Sequence, residues 1–159
     1  MKNNAPNPQT SGRSLFLGDI ENLGWDPQLK TLTPERVRTT CFEVQRALWP
    51  FQAQEVIASS HHFAEMVWFY WNRPARRLIG SGPNGADLKL LEVLINEGIS
   101  QRYKTVFIGS GDGIFAEPAA ELASQGTRVV ALHGTGYLSK KLKLAVHDVI
   151  KLPFGTPPV

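Results

Sequence analysis

Residues 105–115 read TVFIGSGDGIF, a run that few folds accommodate. Val106 to Ile108 is an apolar stretch of strand length. It breaks into glycines and a serine around one carboxylate, Asp112, and an apolar helical pattern starts directly behind it. Such a run predicts a buried strand turning sharply into a helix, which delivers Asp112 to the rim of a sheet. The glycines permit the tight turn and leave room for a ligand beside the carboxylate.

The same alternation repeats along the chain. Ser14–Ile20 (SLFLGDI) predicts a first buried strand whose carboxyl end presents Asp19, Glu21 and Asn22. Thr33 followed by Pro34 supplies an N-cap with proline in the first helical position; Val37, Cys41, Val44 and Leu48 follow at helical spacing. Glu55–Ser59, Leu78–Gly80 and Arg128–Leu132 read as further strands, and Val149–Leu152 as a last one. Helical patterns fall between them, among them GADLKLLEVLINEGI, with Leu88, Leu91 and Leu94 or Ile95 expected inward and Asp87 in its first turn. Short strands alternating with helices predict an α/β fold: a mainly parallel sheet of five to six strands covered on both faces. Residues 1–13 read as a disordered leader, 14–153 as a single domain and 154–159 as a flexible tail.

Composition narrows the class. No run of about 18 apolar residues offers a transmembrane helix, and the start, MKNNAPNPQTSGR, lacks the apolar segment of a secretory signal. The single cysteine, Cys41, excludes an internal disulfide and fits a reducing cytoplasm; its place in a helical apolar pattern makes it a small core residue. The net charge of +3 is uneven. Residues 15–72 sum to about −3 and 83–135 to about −2, whereas Arg73, Arg76 and Arg77 form one basic patch and Lys140, Lys141 and Lys143 another. An acidic centre with basic flanks suits a polyanion brought to a metal site.

In a parallel α/β sheet, ligands bind at the carboxyl ends of the strands. Asp19 follows strand one, Asp87 opens the helix after strand three and Asp112 follows strand four, so all three are expected at one edge. Converging carboxylates repel one another unless a cation neutralises them, and hard oxygen donors favour Mg²⁺ or Mn²⁺ over zinc. Taken singly, Asp87 also suits the helix dipole and Asp112 a helix cap. Adjacent His61 and His62 are poorly spaced for chelation. In the aromatic run Trp68–Trp71, some rings must be core, and Trp71 is expected to be the exposed one. A phosphate-loop reading of GSGDG fails, because the last glycine of a G-x-G-x-x-G fingerprint falls on Ile114 and the loop's own aspartate repels a pyrophosphate.

FLGDIENL (Phe16–Leu23), GADLKLLEVL (Gly85–Leu94), VFIGSGDGIF (Val106–Phe115) and LSKKLKLAVHDVIKL (Leu138–Leu152) together resemble the NYN group of PIN-like domains, in family order and over nearly the whole chain after the leader. The likeness is to a bacterial, actinobacterial-type branch. It implies a PIN-like α/β/α fold and a divalent-metal-dependent endoribonuclease: RNA phosphodiester hydrolysis with Asp19, Asp87, Asp112 and Asn22 at the catalytic site and the three aspartates holding Mg²⁺ or Mn²⁺. The chain departs from the family pattern at Ile114, where members commonly carry a second acid; Glu117 or Glu21 is the candidate substitute. Ser110, Arg73, Arg76, Arg77, Lys140, Lys141 and Lys143 are candidate contacts to the RNA backbone. The alternative is a PIN-like module that binds RNA or a protein partner without cleavage. A homodimer is a further candidate, and no membrane partner is expected.

Overall fold

Side chains of a strand alternate between faces, so a strand apolar at every position needs cover on both. The computed structural model, which describes residues 12–154, meets that need with helices on each side of the sheet. In chain order the elements are β1 (Ser14–Asp19), α1 (Ile20–Gly24), α2 (Pro34–Leu48), β2 (Gln54–Ser59), α3 (His61–Tyr70), β3 (Arg76–Ile79), α4 (Gly85–Asn96), α5 (Ile99–Arg102), β4 (Thr105–Gly109), α6 (Ala116–Ser124), β5 (Arg128–His133), α7 (Lys140–Ala145) and β6 (Asp148–Lys151). A single 3₁₀ turn, Gly113–Phe115, joins β4 to α6.

All six strands are parallel, in the order β3-β2-β1-β4-β5-β6. Leu15 and Leu17 of β1, with Val106 and Ile108 of β4, pack against Leu90, Val93 and Leu94 of α4 and Ala119 and Leu122 of α6. Phe16 and Phe107, the intervening residues, pack on the other face against Val37, Cys41 and Val44 of α2 and Val67 of α3. Right-handed crossovers require the chain to change face when it reverses its direction of travel across the sheet. It does so between β1 and β4, and the adjacent carboxyl ends there open a crevice.

Several expectations are corrected by packing. The inward face of α4 is Ala86, Asp87, Leu90, Val93 and Leu94, while Leu88 and Ile95 are 50 % and 65 % exposed. Leu88, Leu91 and Ile95 satisfy helical spacing equally well, so periodicity alone does not choose between the two apolar faces. Trp71 is fully buried, not exposed. It ends α3 with non-helical dihedrals, and its ring turns in to stack on Phe16 at 6.3 Å and to donate Nε1–H to Glu55. Phe69 is the exposed ring of that run. Phe154, expected in the tail, packs on the core with the Arg36 guanidinium 3.9 Å from its ring centre. The remainder of the expected leader and tail, residues 1–11 and 155–159, lies outside the described residues. Among those described, no helix is long and apolar enough to cross a membrane.

Candidate functional site

Strand parity sets the first residue. Leu15 and Leu17 face the α4–α6 side, so Asp19, two residues on, is carried to that side as β1 ends. Its Oδ1 accepts the Asn22 N–H at 3.1 Å and so caps α1. Asp112 caps the 3₁₀ turn in the same way, accepting from Ile114 N–H at 3.0 Å. Asp87 enters from the first turn of α4, on the helix's inward face. The three expected carboxylates therefore meet in the crevice between β1 and β4, with Asp19 and Asp87 only 7 % and 5 % exposed.

Their electrostatics are those of a crowded acid cluster. Burial pushes the Asp87 carboxyl up to about 8, with further upward pressure from the charges of Asp19 and Asp112 and from hydrogen bonding with both. Asp87 is thereby biased toward its protonated form. Burial also raises Asp19, against the opposing hydrogen bonds from Asn22 and Asp87. One oxygen, Asp87 Oδ1, is buried without any hydrogen-bond partner. Buried carboxylate oxygens are ordinarily paired, so this one is a group waiting for a donor or a cation.

Whether the residues suit a hard dication follows from these facts. Among the described residues no three His, Cys, Asp or Glu side chains are already arranged to hold a metal ion. The three aspartates nonetheless form a cluster close enough that the charges of Asp19 and Asp112 bear on Asp87. The cluster's chemistry fits the ion: three oxygen donors, one of them orphaned, whose mutual repulsion a dication would relieve better than a single proton does.

The surrounding residues divide sharply. Asn22 Oδ1 accepts the Gly111 N–H at 3.3 Å, tying the end of β1 to the loop after β4. Asn22 is a clamp on the crevice as well as a neighbour of the acids. Glu21 is held by the Ser59 hydroxyl at 3.4 Å, the Ser60 N–H at 3.3 Å and the Ser60 hydroxyl, and its charge bears on Asp19. Ser59 or Ser60, by its place a candidate cap for α3, makes no side-chain cap there; as the last residue of β2 and the one after it, the two bring their hydroxyls to Glu21 instead. Glu117 stands apart, exposed on α6 and facing Leu91 and Ile95 of α4. Ile114 packs against the core.

Of the two roles open to Ser110, phosphate contact and turn residue, the structure selects the turn. It is fully buried, and its hydroxyl accepts the Asp112 N–H at 3.1 Å. The loop glycines are also explained differently. A Cβ on Gly111 would lie 2.5 Å from the Tyr137 carbonyl oxygen, and one on Gly113 would lie 2.7 Å from Ser139 Oγ. They make room for the segment entering α7, whose Ser139 N–H donates to the Gly111 carbonyl at 2.9 Å, rather than for a ligand. That approach places exposed Lys140, Lys141 and Lys143 on the helix next to the Asp112 loop.

The arginines are elsewhere. Arg73 pairs with buried Glu55 at 2.6 Å, and Arg76 with Glu97 at 2.8 Å. Arg77 donates to the Trp71 and Ala75 carbonyls. Arg73 and Arg76 belong to the amino-terminal edge of the sheet, because β3 begins at Arg76 and Arg73 precedes it. Arg73 is committed to a buried carboxylate and Arg76 to a half-exposed one, and both stand at the edge opposite the acid cluster, away from any ligand bound there.

Fold and site together define a doubly wound α/β protein with an acidic crevice at its switch point. The strand order is the one that dinucleotide-binding sheets use, but those place a glycine-rich loop after β1, where this chain has Asp19-Ile20-Glu21-Asn22. No protein-family model and no curated protein matches the chain. A crystal structure of a protein of unknown function from Vibrio parahaemolyticus is similar at a TM-score of 0.65, with 11 % identity over 92 % of this chain and 96 % of that one. That likeness is one of fold.

Proposed function

We propose that the protein is a divalent-metal-dependent endoribonuclease whose centre is Asp19, Asp87 and Asp112. The observation that carries this reading is the meeting of three carboxyl groups in the switch-point crevice, one with a buried oxygen lacking any partner. Bound Mg²⁺ or Mn²⁺ would polarise the scissile phosphate and lower the pKa of an attacking water. Asp19, Asp87 and Asp112 would hold the ion, and Asp87 must give up its proton to do so. The Asn22 and Ile114 backbone N–H groups fix one oxygen each of Asp19 and Asp112, which leaves the other oxygen of each to serve as donor. Glu21, oriented by Ser59 and Ser60, adds negative charge at the same rim. Lys143, exposed on α7, supplies sequence-independent attraction for the RNA backbone.

A second reading, binding without cleavage, is favoured by Ile114. Partly buried, it packs against the core where a further acid would be expected, and Glu117 turns to another groove.

The test is cleavage of single-stranded and structured RNA in Mn²⁺ or Mg²⁺, with and without EDTA, by the wild type and by Asp19→Asn and Asp112→Asn. Metal-dependent cleavage lost in both variants supports the nuclease. Cleavage unaffected by either substitution, or absent with every metal, removes it; salt-dependent RNA binding without cleavage would leave the module.

A further inference from the structure

One apolar surface is left over by the fold and by the acidic site. Helix α4 is apolar on two sides, and on its outward stripe Leu88 and Ile95 stay 50 % and 65 % exposed among the described residues, beside the partly buried Leu91. Together with Ile114 and Pro118, Leu91 and Ile95 floor a groove of about 530 Å³ between α4 and α6, rimmed by Glu117 and Glu121. On the far side of α6, helix α7 carries the complementary shape. Leu144 is 87 % exposed, more than any other large apolar side chain among the described residues. Lys140 and Lys141, four and three residues before it, share its face.

A leucine knob ringed by cations and an apolar groove rimmed by carboxylates are matched in shape and in sign. Both belong to one chain and lie on opposite sides of α6, so neither can satisfy the other internally. A two-fold axis near α6 brings each knob to the other copy's groove, which is the self-complementary arrangement of a closed dimer. The charges also decide the pairing. Two α6 helices facing each other bring Glu117 and Glu121 against their own copies, a repulsion that the partner's lysines relieve.

We propose that this α4–α6–α7 face is a homodimer interface, in which Leu144 of one copy occupies the groove formed by Leu91, Ile95, Ile114 and Pro118 of the other, with Lys140 and Lys141 paired to Glu117 and Glu121. The inference does not depend on the nuclease reading. It does bear on the site: Ile114 follows Asp112 by two residues, so the interface abuts the acidic crevice. It also takes Lys140 and Lys141 out of the candidate phosphate contacts, leaving Lys143.

Sedimentation velocity on the full chain from about 1 to 300 μM tests this, a range that covers ordinary dimer affinities. The wild type is expected as a concentration-dependent dimer. Leu144→Asp, a surface change that costs the fold little, is expected to weaken the dissociation constant about tenfold or more. Lys140→Glu with Lys141→Glu should do the same, and so should Glu117→Lys with Glu121→Lys. All four reversals in one chain should restore the dimer. A monomer at every concentration overturns the proposal and gives the face to another occupant. A dimer indifferent to Leu144→Asp overturns it too, as does a fourfold reversal that stays dissociated.

Discussion

The two edges of the sheet bury acids to the same depth and treat them oppositely. At the amino-terminal edge Glu55 is 7 % exposed; it accepts from Arg73 at 2.6 and 2.8 Å and from the Trp71 indole at 3.1 Å. Around it Arg76 holds Glu97 at 2.8 Å, and the Tyr103 hydroxyl donates to Gln54. At the carboxyl-terminal edge Asp87 is 5 % exposed, has one oxygen with no partner, and is surrounded by other acids. A buried charge that is paired and hydrogen-bonded belongs to the architecture. A buried acid left short of partners is a candidate functional site.

The largest effect expected from this contrast is on cleavage. Asp19→Asn should reduce metal-dependent RNA hydrolysis about a hundredfold or more, a ligand loss exceeding that of outer-shell changes, without lowering thermal stability. Removing the partner at the other edge should do the reverse. Arg73→Ala leaves the Glu55 charge buried without its counter-ion, at a cost of about 3 kcal/mol in denaturant unfolding, with cleavage per folded molecule kept. If the two variants fall on the same measurement, the contrast between the edges is lost.

Asp87 sharpens the contrast through pH. Its carboxyl is raised from 3.8 to about 8 by burial and by its acidic neighbours. Below about pH 4 both folded and unfolded states keep the proton, and Asp87 costs nothing. Between pH 4 and 8 the unfolded chain releases the proton while the folded one retains it, so stability falls as pH rises. Asp87→Asn should therefore stabilise the metal-free protein by about 1–3 kcal/mol at pH 8.5 and by nothing near pH 4, read from paired melting curves. Mn²⁺ should raise the melting temperature of the wild type more at pH 8 than at pH 6, because the ion competes with that proton. A flat difference across pH would contradict the raised Asp87 carboxyl.

Smaller effects separate the basic groups. Lys143→Ala should lower the salt slope of RNA binding by about one, whereas Arg76→Ala, tied to Glu97 at the distant edge, should leave it unchanged. Ser110→Ala should cost about 1 kcal/mol for the lost turn hydrogen bond and leave RNA affinity as it was.

Much of the molecule is legible in its residues. Three-residue apolar cores such as Val106–Ile108, bounded by glycine and followed by helical spacing, announce a parallel sheet because only a doubly covered strand is apolar at every position. The same local logic carries Asp19, Asp87 and Asp112 to one edge, since each lies just past the end of a strand or at the start of the next helix. Caps are local as well: Thr33 accepts the Arg36 N–H at 3.2 Å, as the Thr-Pro pair indicates.

Where two local solutions are equivalent, the chain leaves the choice to packing. The two apolar faces of α4 have the same spacing, and the sheet selects the one that carries Asp87 inward, leaving Leu88 and Ile95 outside. Trp71 departs from helical geometry by one residue, and that departure buries it. Arg73 reads as a free cation until the sheet sets Glu55 beside it.

The opening stretch shows the same division. That Thr105–Phe115 forms a strand, turns and presents Asp112 at a rim is written in its residues, because strand length, glycine and capping are properties of neighbours in sequence. That Gly111 and Gly113 make room for Tyr137 and Ser139 rather than for a ligand is a matter of tertiary structure. So is the approach of Asp112 to Asp87, which helps to raise the Asp87 carboxyl. Those facts rest on residues about 25 positions apart that meet at the same sheet edge, a proximity that only the folded chain creates.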